Sequence, residues 1–390
     1  VESPPIVVFS HLRWNSVYQR PQQLLSRIAA TRRVIFFEET AQADPLVPDS
    51  IELSYPLPNL IVARPILQDA RLPFDPARLA ALARRLVRWQ HADRHIAWLY
   101  TPLAFELARA LSPDLVVYDC MDELASFLDA PPALPKREAE LLASADVVFA
   151  GGPSLYRAKR ALHPRVYCFP SSVDVDHFRP ASAVPAEPPD QSALTRPRLG
   201  FYGVLDERLD RDLLDGVAAA RPDWEIVLIG PVAKIDPSSL PRRANLHYLG
   251  QRPYESLPDY LAGWDVCMLP FARNSATRFI SPTKTLEYMA AEKPIVTTSI
   301  RDVVEPYQEV VEVADTPADF VAACERLLNE TNAERTRRVA RMRELVAATS
   351  WDGTVAAMLE AAREAARDRT LSAMQFERGP FEGLPAPAAS

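Results

Sequence analysis

Glycine is scarce in this chain: 11 glycines stand against 37 prolines in 390 residues, and none precedes Gly151. Phosphate-cradling turns of the GxGxxG and GxxxxGK[ST] types need glycine to bring backbone amides against phosphate, so both are excluded from the first 150 residues. Neither half contains GxGxxG, which excludes an ordinary dinucleotide-dependent dehydrogenase. Cysteine is scarce too. Cys120, Cys168, Cys267 and Cys324 form no CxxC pair and have no histidine at metal spacing, so neither a disulfide framework nor a structural zinc site is expected, and a reducing compartment is. Positive charge is in deficit, 44 basic against 51 acidic residues for a net −7, which removes the basic footprint that nucleic-acid binding requires. Residues 1–180 carry 20 of each sign, so the deficit belongs to the remainder. No run approaches the roughly 18 apolar residues of a membrane span, and the N-terminus has no secretion pattern. The expected location is cytoplasmic.

What is present is a globular composition, 48% hydrophobic and 24% charged, on a chain long enough for two cores. Short β-branched and aromatic runs alternate with longer helical stretches, the pattern of βα units around a parallel sheet. The first set of strand candidates is Ile6–Ser10, Val34–Glu39, Leu60–Arg64, Ile96–Tyr100, Leu115–Cys120, Val147–Ala150 and Val166–Phe169. The pattern restarts with Leu199–Val204, Glu225–Gly230, Leu246–Gly250, Val266–Pro270, Pro294–Thr298 and Val310–Val313. Between the sets, Pro180–Pro197 holds five prolines and no apolar period, so it reads as a linker. The predicted organisation is an N-terminal α/β domain over 1–180, a linker over 181–197, a second α/β domain over 198–350, a helix over 351–370 and a loose tail over 371–390. Two doubly wound, Rossmann-like parallel sheets of this kind face a central cleft, the expected ligand site.

The stretch Phe279–Thr298, FISPTKTLEYMAAEKPIVTT, is the most informative. Ser281 is expected to cap a helix with Pro282 at its first position, and the open amides with Lys284 make an anion site. A plain capped surface helix fits the same spacing.

This stretch resembles the nucleotide-sugar site of GT-B glycosyltransferases like those of glycosyltransferase family four, in which a glutamate at the position of Glu287 grips the donor ribose and the helix N-terminus holds the diphosphate. Pro170–Pro180 (PSSVDVDHFRP), Gly200–Leu214, Arg221–Pro231, Asn245–Pro270 and Ser350–Asp352 continue the resemblance in register. His11–Ala29 (HLRWNSVYQRPQQLLSRIA) resembles a bacterial surface-polysaccharide and teichuronic-acid subgroup whose HLRW…QRPQ loop replaces a glycine-rich first loop. It offers His11, Arg13 and Arg20 to the cleft.

The resemblance implies a GT-B fold and transfer of a sugar from a nucleotide sugar, a UDP-sugar first, to a saccharide, lipid-linked or small-molecule acceptor, with retention and without a metal or other cofactor. It implies that Gly203, Arg252, Asn274, Ser281, Pro282, Thr283, Lys284 and Glu287 bind the donor, with Arg208 and Lys234 steadying the leaving diphosphate. Asp119 and Asp122, near a strand end, are candidates to orient a hydroxyl or act as base; helix capping is the alternative for each. The family's first glutamate, eight residues before Glu287, is Phe279 here, which leaves the sugar contact to main chain or to Asn274 and Arg278. The DxD triplets Asp174–Asp176 and Asp210–Asp212 are not expected to bind metal. Arg71, Arg78, Arg84, Arg85, Arg88 and Arg94, with Leu79, Leu82, Leu86 and Trp89, form a basic helix that suits peripheral contact with the cytoplasmic face of the inner membrane. Packing on its own sheet is the alternative. A nucleotide-sugar epimerase or phosphorylase of the same fold and a non-catalytic sugar-binding scaffold are the competing functions.

Overall fold

The computed structural model describes residues 3–42, 46, 48–68, 72–179 and 187–377. Arg71, Pro180–Ala186 of the expected linker and 378–390 of the expected tail lie outside the described residues.

Nine strands build the first sheet: β1 (Ile6–Phe9), β2 (Val34–Phe37), β3 (Ala41–Gln42), β4 (Ser50–Leu57), β5 (Leu60–Leu67), β6 (Ile96–Leu99), β7 (Leu115–Cys120), β8 (Val147–Ala150) and β9 (Val166–Cys168). Their order is β3-β5-β2-β1-β6-β7-β8-β9, all parallel except β4, which pairs antiparallel with β5. The central strands β1, β2, β6, β7 and β8 are buried throughout, as expected where helices cover both faces of a parallel sheet. Neither β3 nor β4 is expected from the sequence. Pro56 lies within β4, and its largely exposed pairing with β5 at the sheet edge is where a strand proline is tolerated.

Six parallel strands form the second sheet: β10 (Arg198–Tyr202), β11 (Glu225–Ile229), β12 (Leu246–Gly250), β13 (Val266–Leu269), β14 (Ile295–Thr297) and β15 (Val311–Val313), in the order β12-β11-β10-β13-β14-β15. A single apolar cluster covers it, from Leu199 and Phe201 to Phe320 and Val346. The helix Trp351–Glu377 then returns to the first sheet, where Val355, Met358 and Ala362 join Ile6, Val8, Phe36 and Trp98 in one core. That helix runs seven residues beyond the expected 351–370 segment, into the stretch read as tail.

The basic helix is Pro76–Trp89, and Leu79, Ala83, Leu86 and Val87 are its buried residues. Its apolar stripe therefore packs on the first domain, the alternative that the sequence offered, and only its exposed basic face is left for a membrane surface. Arg84, Arg85 and Arg88 stay exposed, as does Trp89 at 62%.

Parallel strands carry their loops to a common edge. The loops after β1 and β7 and those after β10 and β11 meet between the sheets, and further contacts join the two domains. Tyr254 stacks on both Tyr18 and His177, at centroid distances of 4.4 and 4.2 Å, and its hydroxyl accepts a 2.9 Å hydrogen bond from Gln23 Nε2. On another side Asp302 accepts hydrogen bonds from the Ser154 amide at 3.1 and 3.2 Å.

Candidate active site

Two cavities that share Gln19, Val204, Arg208, Thr283 and Lys284 make up the cleft. The larger, about 590 Å³, is bounded by Trp14–Gln19 of the first loop, by Gly203 and Gly230 at the strand ends, and by Arg252, Tyr254 and Glu287. The smaller, about 90 Å³, lies between Asp122 and Gly151 of the first domain and Ser281–Lys284 of the second.

Glycine opens the floor of the larger cavity. Gly203 and Gly230 sit at φ +150° and +144°, and a Cβ on Gly230 would stand 1.7 Å from the Gly203 carbonyl oxygen. A Cβ on Gly203 would meet Lys284 Cε at 2.4 Å, so the absence of a side chain there is what admits the lysine.

Thr283–Ala290 is the helix behind the site. Pro282, fixed near its ring-imposed φ at −66°, takes the N-cap position, and no side chain caps the helix. The expected Ser281 cap and first-position Pro282 are thus shifted by one residue. The unsatisfied amides at this N-terminus remain open toward the cavity, a setting that favours an anion by about 0.3–1 kcal/mol where exposed and more where buried.

Glu287 is 8% exposed and accepts a 2.6 Å hydrogen bond from the Tyr202 hydroxyl. Burial raises its pKa, offset in part by Lys284 and by that hydrogen bond. Burial likewise lowers the pKa of Lys284, against the opposing pull of Glu287. Both ions are therefore under-compensated, and an incoming group that offers hydroxyls to the carboxylate and anionic oxygen to the ammonium relieves both.

Arg208 lines both cavities, held by Asp206 at 2.6 Å, with its guanidinium carbon 5.3 Å from the Phe127 ring centroid. Lys234 lies over the same ring at 4.1 Å and stands 4.0 Å from Glu207. It is not among the residues lining either cleft cavity, but it lowers the pKa of His11, already depressed to about 4 chiefly by burial. His11 is accordingly neutral at physiological pH, with a buried Nδ1 that has no hydrogen-bond partner. Burial also raises the pKa of Asp122, against Arg208 and Lys234, and Asp122 lines the smaller cavity.

Other expected residues are engaged elsewhere. Asp119 lies inside β7, fully buried, and takes both Nη2 and Nε of Arg20 at 2.9 and 3.2 Å and Trp98 Nε1 at 3.3 Å. Arg20 spends Nη1 on the Phe169 carbonyl at 2.7 Å. The pair is an internal clamp: Asp119 is not free to act as the expected base, while Arg20 lines the smaller cavity, as expected of a first-loop residue, with its charge already paired. Arg13 faces Glu38 at 3.3 Å. Arg252 reaches the larger cavity while bonded to Asp190 at 2.6 Å and to Tyr260 at 2.7 Å. Asn274 bonds to the Glu207 carbonyl at 2.9 Å and lines a different groove, away from Glu287. Asp174 and Asp210 are helix N-caps, accepting from the amides of His177 and Leu213 at 3.3 and 2.9 Å.

Tyr202, Tyr254 and Gln19 were missed by the sequence reading. Tyr202 alone had a local signal, a polar-tipped aromatic at a strand end just before the glycine of the cleft.

Residues 196–330, the bulk of the second domain, match the family model described as Glycosyl transferases group 1. With the fold and the relative below, that match identifies a glycosyltransferase of GT-B fold. Among curated proteins it is 27% identical over 281 residues to the putative teichuronic acid biosynthesis glycosyltransferase TuaH of Bacillus subtilis (strain 168), covering 65% of this chain and 70% of that one. Among solved structures it is similar to a sucrose-phosphate synthase of Thermosynechococcus elongatus, with TM-score 0.71 and 17% identity over 93% of this chain and 99% of the other. A trehalose-6-phosphate structure from E. coli bound with UDP-2-fluoro glucose gives TM-score 0.68 and 14% identity over 93% and 99%.

Proposed function

We propose that the enzyme transfers a sugar from a nucleotide sugar, a UDP-sugar in the first instance, to a saccharide or lipid-linked acceptor, with retention of configuration and without a metal. The observation that carries this reading is Glu287, positioned by Tyr202 in a cavity that continues past Lys284, Arg208 and an uncapped helix N-terminus. A nucleotide sugar needs those functions in that order: a carboxylate for the ribose hydroxyls, then positive charge for the diphosphate.

Cleavage of the glycosidic bond to phosphate leaves negative charge on the diphosphate and positive charge on the anomeric carbon. Lys284, Arg208 and the helix amides stabilise the first, and because they are fixed before reaction they spend little reorganisation on it. In this reading the neutral His11 of the first loop, with its unpartnered Nδ1, hydrogen-bonds a sugar hydroxyl. Asp122 orients a second hydroxyl from the first-domain side. In the retaining reading the acceptor proton passes to a departing phosphate oxygen, so no side-chain base is required.

Among the described residues no helix is long and apolar enough to cross a membrane. Peripheral contact through Arg84, Arg85, Arg88 and Trp89 belongs to this reading, and co-sedimentation with anionic vesicles tests it separately.

The decisive experiment is a thermal-shift series with UDP-, GDP- and dTDP-sugars. Stabilisation by one nucleotide class, abolished in Glu287→Ala, is expected; no stabilisation by any would overturn the reading. Product analysis with and without acceptor separates transfer from epimerisation.

A further inference from the structure

On the far side of the Asn274–Ile280 loop from the donor cavity lies a second interdomain groove of about 750 Å³, within the size range of small-molecule sites. Arg157 comes to it from the first domain and Arg273, Arg278 and Arg301 from the second, with the hydroxyl-bearing Ser154, Ser275 and Ser299; no carboxylate residue lines it. A cleft with walls of one sign concentrates ions of the other.

The acids behind the groove leave much of this charge available. Arg157 meets Glu305 at 3.1 Å and Asp302 at 3.6 Å, and its buried Nε has no partner. Among the described residues Arg273 is paired through a single Nη1 to Asp315 at 3.2 Å, and Arg301 through Nε to Glu305 at 2.5 Å. A guanidinium has five N–H donors, so most donors of Arg273 and Arg301 stay open. The Arg278 side chain has no ion pair among the described residues; its guanidinium carbon lies 5.1 Å from the Phe279 ring centroid.

Phe279 explains why Arg278 is presented this way. Its ring packs against the first-domain core cluster that contains Leu155, so the loop turns the neighbouring arginine into the groove. The same loop continues into Ile280 and Ser281, which line the smaller reaction-side cavity.

We propose that this groove is an oxyanion subsite, binding a carboxylate or phosphate carried by a sugar of the acceptor while the donor occupies the neighbouring cleft. The proposal rests on the glycosyl-transfer reading for the word acceptor; the anion site stands on its own residues. Arginine forks match both oxyanions bidentately, and four of them on two domains would also join the domains across the bound group.

The test uses inorganic phosphate, glucuronate and glucose as probes at constant ionic strength, with the full chain and its Arg278→Ala and Arg273→Ala variants. Arg278 and Arg273 are exposed, so both variants are expected to fold with an unchanged melting temperature in the absence of probe. Phosphate or glucuronate, but not glucose, should raise the melting temperature of the wild type, and either variant should cut the anion's affinity at least five-fold. Protection by phosphate alone identifies a phosphate-bearing ligand, and protection by glucuronate alone a carboxylate-bearing one. UDP affinity should stay within two-fold of wild type in both variants and in the presence of the anion. Equal protection by glucose, no protection by either anion, unchanged anion affinity in both variants, or displacement of the anion by UDP would each overturn the proposal. Absence of any nucleotide effect in the wild type instead counts against the donor reading and leaves the anion measurement interpretable.

Discussion

Tyr202 donates its phenolic hydrogen to Glu287 Oε2 at 2.6 Å, tying the last residue of β10 to the helix that follows Ser281. The bond orients a buried carboxylate whose other oxygen is left for a ligand. Removing only the hydroxyl, in Tyr202→Phe, should lower donor-nucleotide affinity roughly ten-fold, about 1.4 kcal/mol, in the range of a hydrogen bond to a charged group. Glu287→Ala should remove measurable binding. Isothermal titration with the nucleotide found in the thermal-shift series checks both, and equal affinities for Tyr202→Phe and wild type would show that the tyrosine does not position the carboxylate.

Arg20 and Asp119 are expected to matter for stability before they matter for activity. Breaking a buried pair leaves one charge unpaired, so Arg20→Met should cost about 3–5 kcal/mol in urea unfolding. The double variant Arg20→Met with Asp119→Leu should recover much of that loss, since neither charge then remains in the core. Losses that simply add would refute the clamp.

Restoring the family's missing carboxylate should not help. Phe279 packs on the first-domain core, so Phe279→Glu places a charge against Leu155 and its neighbours. A stability loss of about 1–3 kcal/mol is expected, with no gain in donor affinity. A tighter nucleotide complex in this variant would place the position in the sugar site after all.

Glu39, two residues beyond β2, makes the stability pH-dependent. Burial raises its pKa from 4.5 to about 7, against the cations Arg13 and Lys234. The folded protein therefore holds this proton more tightly than the unfolded chain. The stability it contributes is complete below pH 4.5 and is lost as pH rises through about 7. Glu39→Gln should flatten the melting temperature between pH 5 and 8 relative to wild type. Parallel profiles for the two proteins would assign the pH dependence elsewhere.

The sheets were legible because thirteen of their strands are runs rich in β-branched and aromatic residues, a local signal, ten of them buried at all but at most one position. The exposed edge strand β4 was not, since Pro56 interrupts its pattern and only its pairing with β5 makes it a strand. At the site, the Ser281–Lys284 turn and Glu287 were legible as one segment, with the helix start misplaced by a residue because proline suits either position. Arg20 and Asp119 were individually visible as polar residues near strand ends. Their mutual capture was not, because 99 residues separate them and nothing local records a long-range partner. The same holds for Tyr254, whose place between Tyr18 and His177 depends on how the two domains meet.

The returning helix has a consequence for the order of events during synthesis. One face of the first sheet is closed by Trp351, Val355, Met358, Leu359, Ala362 and Ala365. At about 5–20 residues per second, the ribosome makes those residues on the order of 10–40 s after β9, with the whole second domain in between. Until then Ile6, Val8, Trp98 and Phe149 lack part of their cover. The two domains, separate as sheets, are thus coupled in assembly: the domain begun first is finished last, and its half-covered aromatic face is what a chaperone would meet on the nascent chain.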